Sequence, residues 1–111
     1  MMRGYFADEL LLMMPLFDAS GVRLWGEVTG AHCGPLALAL TDVAARTDEI
    51  VLDLTDVQFV SNSILEILTL LARRFTPPRS LVVKAGADLR LRERTIAYGW
   101  EQLATVRLEE T

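Results

Sequence analysis

The chain has 111 residues, a formal net charge of −4, 51% hydrophobic residues and a mean hydropathy of +0.29. That much apolar sequence excludes an intrinsically disordered chain, and the acidic balance lacks the electrostatic footprint of a nucleic-acid binder. The single cysteine cannot form an internal disulfide, which fits a reducing compartment.

The start, "MMRGYFADELLLMMPLF", carries one arginine, an early Asp8-Glu9 pair and a short apolar run. A membrane span needs about 20 apolar residues, and a signal peptide needs a longer apolar stretch and a small-residue cleavage site. The expectation is a soluble, cytoplasmic protein without direct membrane insertion, with residues 1–8 as a disordered N-terminal arm. "ELLLMMPLF" (9–17) and "VRLWGEVT" (22–29) flank "DASG" (18–21), where Asp18 can bond its own backbone and Gly21 can take positive φ. They form an antiparallel hairpin, with Pro15 arguing against a central strand position. Residues 35–46 read as a helix: Pro35 suits a first turn, and Leu36, Leu40, Val43 and Ala44 recur at helical spacing. In "IVLDLTDVQFV" (50–60) the part around "EIVLDL" (49–54) is fit for a buried strand. A second helix runs from about Ser63 to Phe75 and is stopped by Pro77-Pro78. "SLVVKA" (80–85) is a strand. Residues 88–99 read as a third helix with Asp88 as cap and Gly99 as terminator, and "LATVRL" (103–108) as a last strand.

The order β-β-α-β-α-β-α-β predicts an α/β fold with one domain over residues 1–111. Its mixed sheet combines an N-terminal hairpin with β-α-β crossovers and is covered by helices. The loops after the strand C-termini gather at one end, where a site is expected. "FVSNSIL" (59–65) lies at such a junction. Ser63 and Glu66 match a Ser-x-x-Glu capping box, which gives Ser63 a structural role at the helix start. Asn62, Glu66, Thr69 and Arg73 form a narrow polar stripe opposite Ile64, Leu65, Ile67, Leu68, Leu71 and Phe75, which face the sheet.

These segments together resemble a STAS domain, the fold of bacterial anti-sigma-factor antagonists. The segments are "GVRLWGEVT", the helix after it, "EIVLDLTDVQFVSNSILEIL", "SLVVKA" and "LRERTIAYGWEQL". The resemblance runs from about Val22 onward. Its most specific piece is "VLDLTDVQFVSNSIL", similar to the family's strand, Asp-Leu-Ser/Thr-x-Val and Phe-Ile-Asp-Ser-Ser-Gly-Leu. In that family the first serine of Asp-Ser-Ser-Gly is phosphorylated by a kinase that is also the anti-sigma factor. The resemblance thus implies a protein partner of that kind, and no cofactor.

At the decisive positions this chain departs from the pattern. Ser61 stands for the aspartate, Asn62 for the phosphoacceptor serine and Ile64 for the glycine, while Ser63 and Leu65 agree. Asn62 has no hydroxyl, so phosphorylation at the family site is ruled out, and Ser63 is the only rival acceptor. Glu27 keeps the family's Gly-Glu, whereas Thr29 replaces an aspartate. Asn62 has the size and polarity of an uncharged partner at that spot, and so mimics the permanently dephosphorylated state. The alternative is a STAS scaffold or accessory subunit in a multi-protein assembly, including a lipid or anion transporter.

An enzyme is the reading from a different class, and the residues do not support it. His32 and Cys33 are unique of their types and adjacent, with no evident orienting acid; they read as a solvent histidine and a buried or loop cysteine. No Walker or dinucleotide glycine pattern and no metal-ligand spacing occurs. Asp56 reads as a turn residue near Asp53, and Trp25 and Trp100 as core or rim aromatics. The contact surface is therefore assigned to Thr55, Ser61, Asn62, Ser63, Glu66, Thr69 and Arg73, with Glu27 and Thr29 from the neighbouring strand end. The apolar stretch "ELLLMM" offers a homodimer edge.

Overall fold

The computed structural model describes residues 5–18 and 20–111. Six strands form one sheet in chain order: β1 (Phe6–Ala7), β2 (Leu11–Pro15), β3 (Gly21–Val28), β4 (Glu49–Val60), β5 (Ser80–Ala85) and β6 (Val106–Glu110). The first three pair antiparallel and β3 to β6 pair parallel. The mixed α/β sheet is the one expected. Part of the proposed disordered arm is ordered, because Phe6 and Ala7 pair with Met13 and Leu12; residues 1–4 lie outside the described residues.

Two helices link the parallel strands, α1 (Cys33–Ala44) between β3 and β4 and α2 (Asn62–Arg74) between β4 and β5. Each crossover moves one strand further in the same direction, and right-handed crossovers of that kind put every helix on one face. Leu36, Leu40 and Val43 of α1 and Ile64, Leu65 and Leu68 of α2 bury there against Leu24, Leu52, Leu54 and Val83. On the bare face, Arg23, Asp53, Lys84 and Glu109 stand opposite one another across four strands, a row of alternating charge. Trp25 lies on this face half-buried, with the Arg23 guanidinium 5.1 Å from its ring centre.

Two glycines are required by close approach. A Cβ on Gly21 would stand 1.7 Å from the Val51 carbonyl oxygen, so contact with β4, rather than the anticipated positive φ, demands glycine. Gly26 does take positive φ (107°), where the ladder to β4 shifts register and the Leu10 carbonyl approaches. Asp18 accepts from the Ser20 N–H at 3.0 Å, the local turn bond its position suggests.

Several elements differ from expectation. α1 starts earlier because a 3₁₀ turn, Gly30–His32, runs directly into it. β4 continues to Val60 with two register shifts, so Asp56 is a strand residue, ion-paired to Arg23, and not a turn residue. β6 starts later, after Thr105 donates to the Ala72 carbonyl at 2.5 Å. The third helix is broken into short pieces, of which α3 (Leu91–Arg94) is the only α-helical one. Leu89 and Leu91 are both buried, a spacing of two that does not follow the single face of an amphipathic helix, and Arg90 between them takes the left-handed conformation (φ 55°). Gly86, not Asp88, precedes the first piece, and Gly99 (φ 76°) ends the last before Trp100 as anticipated.

Trp100 is 6% exposed and donates its indole N–H to Thr69 Oγ1 at 2.9 Å, while that hydroxyl donates to the Leu65 carbonyl at 2.7 Å. Thr69→Val keeps the shape but leaves the buried indole N–H without an acceptor, a loss of about 1–3 kcal/mol. Urea unfolding should show that loss for Thr69→Val and little change for Thr69→Ser; equal stability of all three proteins would remove the bond from the account of the core.

Candidate functional site at the start of the second helix

The parallel strands β3 and β4 end level with each other. Val28 pairs with Val60, and the Ser61 N–H donates to the Val28 carbonyl at 3.0 Å. Only Ser61 then separates β4 from α2. Ser61 is extended (φ −74°, ψ 157°) and occupies the cap position, while Asn62 is already helical. Ser63 therefore lies inside the first turn and cannot cap it, contrary to the Ser-x-x-Glu reading. Its Oγ instead bonds Ser61 Oγ at 2.8 Å, and neither hydroxyl caps the helix. The capping box needed two more non-helical residues, which the pairing of β4 with β3 does not leave.

Next to this junction the chain from β3 turns through Thr29 and Gly30. A Cβ on Gly30 would meet Ser63 Oγ at 3.1 Å, so the turn sits directly against the serine. The Thr29 N–H donates to His32 Nδ1 at 2.9 Å. With Nδ1 an acceptor, the proton lies on Nε2, which donates to Asp8 Oδ2 at 2.8 Å. His32 is 1% exposed, so it is a core residue with an acidic partner, not a solvent histidine. Asp8 Oδ1 also accepts the N–H groups of Leu10 and Leu11, and Phe6 lies edge-on to the His32 ring at 5.7 Å. The N-terminal segment is thereby tied to the turn beside Ser63. Half-buried Cys33 directs its thiol to the Ser63 carbonyl at 3.7 Å.

Arg94 reaches in from α3 on the other side. Its guanidinium donates to the Val60 carbonyl at 2.5 Å, to Asn62 Oδ1 at 3.1 Å and to the Leu89 carbonyl at 3.4 Å. Neither Arg94 nor the Asp8–His32 pair was found from the sequence. The helical reading of residues 88–99 gave Arg94 no target, although the Leu-Arg-Leu-Arg alternation in "DLRLRER" already argued against a helix there. Asp8 and His32 are far apart in sequence and carry no spacing signal.

The structure brings together Thr29, Ser61, Asn62, Ser63 and, one turn on, exposed Glu66. Arg73 is exposed on the same line of α2 but eleven residues from Asn62, roughly 16 Å along the axis. Glu27 is exposed opposite Phe59 at the neighbouring strand end. Thr55 stands on the solvent side of β4, bonded to Asp53 Oδ1 at 2.7 Å and well short of the strand end. Thr69 is corrected outright: at 5% exposure under Trp100 it presents nothing to a partner. Among the described residues no cluster of His, Cys, Asp and Glu is placed to hold a metal, and no helix is long and apolar enough to cross a membrane.

A mixed sheet with its helices on one face, and polar residues gathered at the junction of β4 and α2, defines a class of small α/β domains. Residues 16–107 match the family model described as "Mlab, STAS domain", and the chain belongs to the STAS-domain family. The crystal structure of an anti-sigma factor antagonist from Mycobacterium paratuberculosis shares the fold. The TM-score is 0.74 at 21% identity, over 95% of this chain and 90% of that one. Comparison with curated proteins gives no significant match.

Three donors, the His32 ring first and then the N–H groups of Leu10 and Leu11, hold the Asp8 carboxyl below its ordinary value of 3.8. A folded-state value below the unfolded one stabilises fully above 3.8, and the gain is lost as pH falls through the depressed folded value. Asp8→Asn should lower the unfolding midpoint at neutral pH, with the gap to wild type closing in strong acid. A gap of constant size from neutral to strong acid would show that the carboxylate charge is not what holds the N-terminal segment.

Proposed function

We propose that this protein acts by binding and not by catalysis, as a cytoplasmic regulator of the anti-sigma-factor-antagonist type. Its partner is an anti-sigma factor that is also a serine kinase. The observation that carries the reading is Asn62: exposed, first in α2, and at the position where the family pattern places its phosphoacceptor serine. The docking surface comprises Asn62, Ser61, Ser63 and Glu66, with Thr29 and Glu27 beside them and Arg73 and Thr55 at its margins. An amide cannot accept a phosphoryl group, so the surface stays permanently in its neutral form. Ser63, bonded to Ser61 and pressed by Gly30, is a poor substitute acceptor.

A second reading is an accessory subunit of a multi-protein assembly such as a lipid or anion transporter. The asparagine at the acceptor position favours it, since a subunit of a standing assembly needs no phosphorylation switch. The same surface would then bind a different protein. A second copy of the chain is a further candidate partner through the β2 edge, which β1 covers only at Leu12 and Met13.

Incubation with a kinase of the anti-sigma type and ATP should leave the intact mass unchanged. A stoichiometric phosphate on Ser61 or Ser63 would overturn the locked-state reading. Asn62→Asp should fold normally, its carboxylate facing the Arg94 guanidinium, and bind the kinase more weakly by about 2 kcal/mol, roughly thirtyfold in Kd by calorimetry, because the amide donors are lost and the added charge must be desolvated at the interface. Equal affinity of the two proteins would place the contact elsewhere, and absence of any binding to such a kinase would favour the transporter-subunit reading.

A further inference from the structure

The Arg94 guanidinium is half-buried and faces three oxygens, all neutral: two backbone carbonyls and the Asn62 amide. Among the described residues no carboxylate forms an ion pair with it. Glu93 pairs with Arg90 and Glu110 with Arg92, while Glu66, exposed one turn beyond Asn62, forms no ion pair with Arg94. A guanidinium only donates, so the oxygen of the Asn62 amide must face Arg94. The amide nitrogen, with two N–H groups, is turned away from Arg94, and it has no acceptor among the described residues. An asparagine free to rotate would offer a partner either a donor or an acceptor. This one is held as a donor, beside a guanidinium that forms no ion pair among the described residues.

We propose that Asn62 and Arg94 form a carboxylate-reading pair, so that the partner sets an aspartate or glutamate side chain against the Asn62 amide nitrogen. Arg94 is the positioning residue. It fixes the orientation of the amide through Nη2, which donates to both the Val60 carbonyl and Asn62 Oδ1, and it supplies the charge, while Nη1 donates to the Leu89 carbonyl. The inference deepens the docking role given above and rests on it for the identity of the surface. It adds the chemistry of what docks: an acidic group, not a neutral or basic one.

Sodium acetate serves as the probe, with sodium chloride at equal ionic strength as control, on the isotope-labelled full chain. Acetate should shift the side-chain amide resonances of Asn62 and the guanidinium N–H of Arg94 saturably, and chloride should not. In Arg94→Met the amide loses both the donor that orients it and the nearby charge, and the apparent affinity of the Asn62 response should fall by about tenfold. Arg94→Lys keeps the charge but not the planar guanidinium and should give an intermediate response. If Arg94→Met does not fold, Asn62→Ala, at an exposed position, serves instead and should weaken the Arg94 response to acetate to a similar degree. A response that chloride reproduces, or one unchanged in Arg94→Met or in Asn62→Ala, overturns the proposal, as does no response at all. The measurement uses no protein partner, so failure here leaves the docking surface standing. A missing kinase partner, in turn, would leave the acetate response intact.

Discussion

The bond from the Ser61 N–H to the Val28 carbonyl governs the arrangement at this end of the molecule. It extends the parallel ladder one residue past Val60 and makes the chain turn at once. Ser61 must then be the extended cap and Asn62 the first helical residue. Ser63 is driven inside the helix and toward the Gly30 turn. Had β4 ended at Leu54, where its pairing with β5 stops, the following residues could have formed a loop and the polar residues would not share one surface. The two register shifts against β3 let a twelve-residue strand lie beside an eight-residue one and still finish level with it.

A one-sided sheet leaves a face to be kept in water. Strands with a bare face are prone to wrong association unless charge opposes it. Here Arg23, Asp53, Lys84 and Glu109 share one row in alternating sign, so each charge has opposite neighbours across the strands. In the adjacent row Val51 and Val82 are nonetheless well covered, Val82 to 1% exposure. Long basic side chains such as Lys84 and Arg107 can lay their aliphatic stems over such a row while their heads stay wet. The bare face thus explains a charge pattern that has nothing to do with the site.

Where local rules govern, the sequence was readable. The hairpin, the strand at 80–85, the helix before Pro77 and the order of elements follow from alternation, helical period and breakers. Misreadings arose where tertiary contacts decide. Thr69 lies on a polar stripe by helical spacing, yet Trp100, distant in sequence, covers it and uses its hydroxyl. His32 looked like a solvent residue because its acid comes from the N-terminal segment, which had been taken as disordered. The capping box at Ser63 was good local chemistry, overruled by the length of a strand. Arg94 was missed because a left-handed residue, Arg90, redirects its segment, and no periodicity encodes such a break.

The same contacts bear on whether this junction can switch. A phosphorylation switch needs a group that gains charge and an element with two arrangements for that charge to choose between. The amide of Asn62 gains nothing near neutral pH. Ile64, where the family pattern has glycine, is fully buried and anchors the first turn of α2 from beneath. Arg94 ties the end of β4 to the first residue of α2 from the side, and the His32–Asp8 pair ties the opposite turn to the N-terminal segment. Each contact removes freedom at the place where a switch would need it. Under the proposed correspondence to the family pattern, a buried branched side chain at residue 64 and an amide at residue 62 both favour one fixed surface. Under the docking role proposed above, that rigidity fits a site used for constant recognition rather than one left behind by a discarded switch.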